Sequence, residues 1–215
     1  LLATGPLKHM MQINRDIMIR TLCLIFAFAW FTDQGARFGD TILAANMILM
    51  QFVTFAAFFL DGFALAAESL VGQAVGANDR KLSKRIIRTT FELGVVTALL
   101  LSLLLAVSYN IILVLLTSNQ EVINTAQAYA SWIIIAPVAS VAAYLLDGIF
   151  IGAALTRQMR SAMIVSLAIF LFACWGLVVP YANHGLWASL MIYYLSRAAS
   201  LAFYLPKVWT GQVQS

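Results

Sequence analysis

Hydrophobic positions in this chain run together in long blocks, separated by short polar ones. A helix needs about 20 apolar residues to cross a bilayer, and six blocks approach or exceed that length. They predict spans over about 16–31, 41–75, 86–116, 122–155, 162–179 and 186–205. A transmembrane barrel would show alternating segments of about ten residues instead. The second block is longer than a bilayer requires, so it must tilt, kink or extend into the cytoplasm. Pro137 predicts a kink in the fourth block, and Pro206 a stop to the sixth. Residues 1–14 are polar enough for a linker or surface segment. Polar loops are expected at 32–40, 78–85, 117–120, 156–160 and 180–185.

Composition points the same way. Hydrophobic residues make up 62% of the 215 and charged residues only 10%, with a mean hydropathy of +0.90. Soluble domains carry about 25% charged residues, and so little charge could not cover a water-soluble surface. The expected fold class is an all-α integral membrane protein, a single six-transmembrane-helix bundle over 1–215.

The net charge of +4 raises the possibility of nucleic-acid binding, but the positions of the charges argue against it. One side of the six-span arrangement receives Lys8, Arg15, Arg20, Arg80, Lys81, Lys84, Arg85, Arg88, Arg157, Arg160 and Lys207; the other receives only Arg37. By the positive-inside rule both ends are cytoplasmic, in the cell's inner (plasma) membrane. Trp30, Trp132 and Trp187 fall near the outer ends and Trp209 near the inner end, as an aromatic belt would. No cleavable signal peptide is visible. The chain starts at Leu1 rather than Met, which reads as a fragment or one half of something longer.

Nothing predicts an enzyme. No HExxH, GxSxG, Walker A loop or GxGxxG occurs, and no nucleotide domain to drive a pump. His9 and His184 are isolated, and Cys23 and Cys174 have no ligand-like spacing, so no metal site and no cofactor are expected. The methionines are scattered and read as packing.

The informative residues are ionisable groups inside the apolar blocks, which cost roughly 2.5–3.5 kcal/mol each on insertion scales. They persist mostly where they face protein, water, an ion or a substrate. In the second block Asp61 and Glu68 lie within about 20° of each other on a helix, with Thr54 on the same side and Asn46 about 60° away. This polar stripe predicts one wall of a hydrated cavity, with Asp61 taking a proton or cation. The alternative is a structural hydrogen-bonded network. Asp147 lies about 15 Å into the membrane from the 156–160 loop, with Tyr144 one turn away. Its alternative is a neutral, protonated group in a packed interface, where an amide could serve as well. Arg197 reads as the buried structural charge, pairing with an acid or reaching the cytoplasmic face. Arg88 and Glu92 read as a local i,i+4 pair. Gly148–Gly152 is a GxxxG close-packing pattern, and Gly72–Gly76 another near a span end. Leu60-Asp61-Gly62 recurs as Leu146-Asp147-Gly148 in a span of the same direction, a weak internal echo.

The order of several segments carries a resemblance. They are Asn14-Arg15-Asp16-Ile17-Met18-Ile19-Arg20-Thr21, Gly35-Ala36-Arg37-Phe38-Gly39-Asp40, Leu60-Asp61-Gly62-Phe63-Ala64, Glu68-Ser69-Leu70-Val71-Gly72-Gln73-Ala74-Val75-Gly76-Ala77, and Leu146-Asp147-Gly148-Ile149-Phe150-Ile151-Gly152-Ala153 before Arg157-Gln158-Met159-Arg160. Over about 12–206 the chain resembles the C-terminal half of a multidrug and toxic compound extrusion (MATE) transporter, of the DinF-type branch. The resemblance implies a twelve-helix antiporter of two six-helix lobes around a central cavity. It implies cationic or amphipathic drug substrates and coupling to H+ or Na+. The partner would be the N-terminal lobe. The NorM-type branch carries an acid within its seventh helix, and the matching span here, Thr21 to Phe31, has none; Asp147 lies roughly where that branch has an acid in its tenth helix. In the DinF-type branch the acids tied to proton coupling lie in the first lobe. The sequence reading is therefore half of a secondary exporter, with Asp61 and Asp147 as its own coupling candidates and Glu68, Tyr144 and Asn46 beside them. The alternatives are a complete six-span homodimeric carrier or channel, and a non-transporting scaffold.

Overall fold

Five helices and the short turns between them account for the described residues, 4–210, of the computed structural model; side chains are described over 10–208. The helices are α1 (Thr4–Ala36), α2 (Asp40–Gly76), α3 (Arg80–Leu116), α4 (Gln120–Gly152) and α5 (Thr156–Thr210). No strand occurs among these residues. The side chains of Lys8, His9 and Trp209 lie outside the described ones.

Helices outrun the apolar blocks at nearly every end. The expected linker over 1–14 is helical from Thr4, the expected loops at 32–40 and 78–85 shrink to turns at 37–39 and 77–79, and the loop expected at 156–160 lies inside α5, the turn falling instead at 153–155. Hydropathy marks where lipid stops, whereas a helix continues until its end groups find partners. Asp79 accepts the Leu82 N–H at 2.9 Å to start α3, and Asn119 accepts those of Glu121 and Val122 at 3.0 and 3.4 Å to start α4. α2 and α4 end in the same turn. At Asn78 and Ala154 φ is 54° and 55°. The next N–H reaches back to a carbonyl five residues earlier, Asp79 to Ala74 and Leu155 to Phe150, each at 2.9 Å.

The fifth and sixth expected spans are joined in α5. The expected loop at 180–185 narrows to one non-helical residue, Ala182 (φ 47°, ψ −127°). In a straight helix Phe170 and Tyr193 would stand about 34 Å apart, yet their ring centroids are 5.6 Å apart. α5 is therefore a hairpin whose arms, 156–181 and 183–210, lie against each other. A side chain at Gly185 would overlap the Leu177 carbonyl of the opposite arm. Pro206 does not stop the second arm, which continues to Thr210; it is exposed, so its missing N–H is no buried defect. Pro137 likewise lies within α4 without ending it.

α2 to α5 are long and apolar enough to cross a membrane. α1 is more polar in its first half, which carries Arg15, Asp16 and Arg20. α4 is the central helix, packed by α2, α3 and α5. Lipid offers little hydrophobic drive for helix association, so close backbone approach matters. Methyl groups at Gly148 and Gly152 would overlap the carbonyl oxygens of Ala64 and Glu68. That GxxxG face therefore seats α4 directly on α2. At Gly76 a methyl group would meet nothing within 4 Å, so the second GxxxG is not a matching seam.

Candidate functional site

The α2–α4 seam places Asp147, the residue before Gly148, where two arginines from distant segments meet. Arg20 of α1 donates from Nε to Asp147 Oδ2 at 3.0 Å, and its terminal nitrogen also binds that oxygen. Arg197, on the second arm of α5, donates from Nε to Oδ1 at 3.2 Å and from a terminal nitrogen to Oδ2. The second pair is the two-pronged arrangement that suits guanidinium and carboxylate. Asp147 and Arg197 are buried, whereas 19% of the Arg20 side chain remains exposed. The Tyr144 ring lies 5.8 Å from the Arg197 guanidinium carbon, within cation–π range. Asp147 is thus held between two guanidiniums and hydrogen-bonded to both. Arg20, less buried than Arg197, shares its partner.

A cleft of about 310 Å³ opens beside this cluster, lined by Arg20, Asp61, Glu68, Tyr144, Asp147 and Gly148 among others. Asp61 is exposed on its wall, within the electrostatic reach of Arg197 and Arg20. Glu68, about 10 Å further along α2, also borders a second opening with Ser69, Gly72, Gln73 and Gly152. Asp61, Glu68, Tyr144 and Asp147 are therefore brought together. The two Leu-Asp-Gly copies differ: one carboxylate is exposed and the other is buried and bonded.

Asn46 does not belong to this cleft. It is buried at the other end of α2, exchanging hydrogen bonds with Asn183 at 2.7 and 2.9 Å and accepting the Trp187 indole N–H at 2.9 Å. It holds α2 to the hairpin turn of α5. Thr54 turns its hydroxyl to the Met50 carbonyl at 2.9 Å. The predicted stripe is thus a cleft wall over Asp61 and Glu68 and a structural clamp at Asn46. A 60° offset on a long helix is enough to reach a different neighbour.

Two groups escaped the sequence reading. Arg20 counts there as a flanking charge, although its position inside the first apolar block is the signal that it needs an intramembrane partner. Asp16 is buried and binds Arg160 at 2.6 Å and Arg15 at 3.2 Å, joining α1 to the start of α5. Elsewhere, His184 accepts the Trp132 indole N–H at 3.0 Å beside Tyr129. Among the described residues no three His, Cys, Asp or Glu side chains gather as metal ligands.

Apolar helices that hold an arginine–aspartate cluster beside an open polar cleft define a multi-pass helical membrane protein built around an ionisable site. The chain belongs to the MatE family, whose model matches residues 17–175. It is 39% identical over 206 residues to DNA damage-inducible protein F of Escherichia coli (strain K12), covering 95% of this chain and 44% of that protein. It is 23% identical over 192 residues to Protein DETOXIFICATION 44, chloroplastic, of Arabidopsis thaliana, covering 89% of this chain and 33% of the relative. In structure it resembles the Vibrio cholerae MATE transporter VcmN in its bent form, with a TM-score of 0.85 and 19% identity, over 98% of this chain and 48% of that one. This last likeness concerns the fold. The chain spans about half the length, or less, of these proteins.

Proposed function

We propose that this chain is the C-terminal lobe of a secondary active multidrug exporter in the cell's inner membrane, with both ends cytoplasmic, and not an enzyme. An N-terminal lobe of six helices would face the cleft lined by α1, α2 and α4. The two lobes would rock about a shared cavity to give alternating access, exchanging cationic or amphipathic drugs for H+ or Na+. The observation that carries this reading is the exposed Asp61 on the cleft beside the Arg20–Asp147–Arg197 cluster.

The chemistry follows from the charges. Asp147 shares its negative charge between two guanidiniums, so the three groups together carry about one positive charge. Ionised Asp61 competes with Asp147 for Arg20, the more accessible arginine. A proton or cation on Asp61 removes that competition and returns Arg20 to Asp147. Arg20 is on α1, Asp61 on α2 and Asp147 on α4, so loading Asp61 biases how these helices pack, and with it the population of the two access states. Glu68 supplies a second acceptor between Asp61 and the end of α2.

The test is gradient-driven drug transport by the full-length transporter in proteoliposomes. Asp61→Asn is expected to abolish ion-coupled efflux while leaving thermal stability unchanged, and Glu68→Gln to have a milder effect. Near-normal coupled efflux by Asp61→Asn would remove this cleft from the coupling mechanism.

A further inference from the structure

We propose that the outer face of α3 is a binding site for an anionic phospholipid, whose headgroup is held by Lys81, Arg85 and Arg88. These residues are spaced four and three apart and are all exposed. On a helix they share one face with Val95, Val96 and Leu99, all six within about 100°. The apolar three are 41%, 54% and 54% exposed. Arg88 and Leu99 are separated by about 16 Å along the helix, half of a hydrocarbon core about 30 Å thick. A basic collar and an apolar track one leaflet deep thus lie in line, as a headgroup and its acyl chains require.

Charge selects the class of lipid. Residues 79–92 carry five basic side chains (Arg80, Lys81, Lys84, Arg85 and Arg88) and two acidic ones (Asp79 and Glu92). Asp79 is engaged in capping α3 and Glu92 in binding Arg88 Nε at 2.7 Å. That bond uses Nε rather than the terminal nitrogens of Arg88. None of the salt bridges among the described residues involves Lys81 or Arg85. The net positive collar therefore attracts a phosphate that carries no compensating choline. Lipid, rather than a second protein lobe, is the occupant because the exposed face of α3 over 93–107 is apolar. The face of α2 that would meet another lobe carries Asp61 and the cleft.

The test uses native mass spectrometry on the full-length transporter, delipidated and titrated with phosphatidylglycerol or phosphatidylcholine of identical acyl chains. The wild type is expected to retain phosphatidylglycerol preferentially. Each of Lys81→Gln, Arg85→Gln and Arg88→Gln should lower that preference about fivefold, and Arg85→Lys should keep it. Thermal melting checks that each variant is folded. Equal retention of both lipids by the wild type, or unchanged preference in the folded variants, would overturn the site. So would complete displacement of the lipid by an equal concentration of inorganic phosphate. A spin label at Leu99 in phosphatidylglycerol vesicles should be open to oxygen and closed to a water-soluble nickel reagent. Shielding from both would show that protein covers this face, which also overturns the proposal.

Discussion

Asp147 shows how one carboxylate can be strongly placed without being free to react. Its oxygens accept from two guanidiniums, and the carboxylate and Arg197 are both buried. Removing one partner of a buried ion pair costs about 3–5 kcal/mol, because the charge left behind has no counter-ion. An amide at 147 would leave Arg197 in that position, so the geometric similarity of Asn does not rescue it. Asp147→Asn is therefore expected to lower the thermal unfolding midpoint of the purified protein sharply. Asp61→Asn, at an exposed cleft wall, should leave that midpoint unchanged. Equal midpoints for the two variants would contradict the ion-pair cluster. From sequence the two aspartates look alike, each between Leu and Gly. The difference lies in Arg20 and Arg197, which are 127 and 50 residues from Asp147 in the chain.

At the scale of elements, the two glycines following those aspartates separate cleanly. A methyl group at Gly148 would overlap the backbone of Ala64, whereas one at Gly62 would meet nothing within 4 Å. Overpacking of this kind costs about 1–3 kcal/mol, and backbone atoms cannot swing aside as a side chain can. Gly148→Ala should destabilise the protein and loosen the α2–α4 seam. Gly62→Ala should be neutral or slightly stabilising, since alanine favours the helix. Thermal melts of both variants check this; a stable Gly148→Ala protein would show that the helices are not in backbone contact. The Gly-x-x-x-Gly spacing was legible in the sequence, and so were the apolar lengths of the elements. Their ends were not, because capping by Asp79 and Asn119 is decided by side-chain geometry rather than by hydropathy. The hairpin in α5 was expected as a six-residue loop, yet one residue of unusual φ and ψ reverses the chain.

For the whole molecule, the lobe reading predicts dependence on a partner. The chain reconstituted alone with an imposed H+ or Na+ gradient should move no drug-like cation, and adding a matching N-terminal lobe should restore efflux. Gradient-driven transport by the purified chain alone would favour the six-span homodimer. The predicted orientation has its own test, in a Cys-free background of the full-length protein. Cysteines replacing the exposed Lys81 and Arg157 should label from the cytoplasm, and one replacing Asn119 from outside. Labelling of Lys81 and Asn119 positions from the same side would contradict the arrangement.

Sequence alone was enough to determine the helical membrane class, the approximate apolar spans and the presence of ionisable groups within them. These follow from local composition, because burying a charge or an unpaired backbone group in lipid is costly wherever it occurs. It also carried enough order among its motifs to resemble the MATE family. Which charges meet was decided only in three dimensions. Arg20, Asp147 and Arg197 come from three helices, and Asn46 meets Asn183 and Trp187 across two, α2 and the second arm of α5. Helical periodicity relates residues within one element and says nothing about the rotation or depth at which another element packs. That packing turned one aspartate into a buried ion-pair partner and left the other open to the cleft.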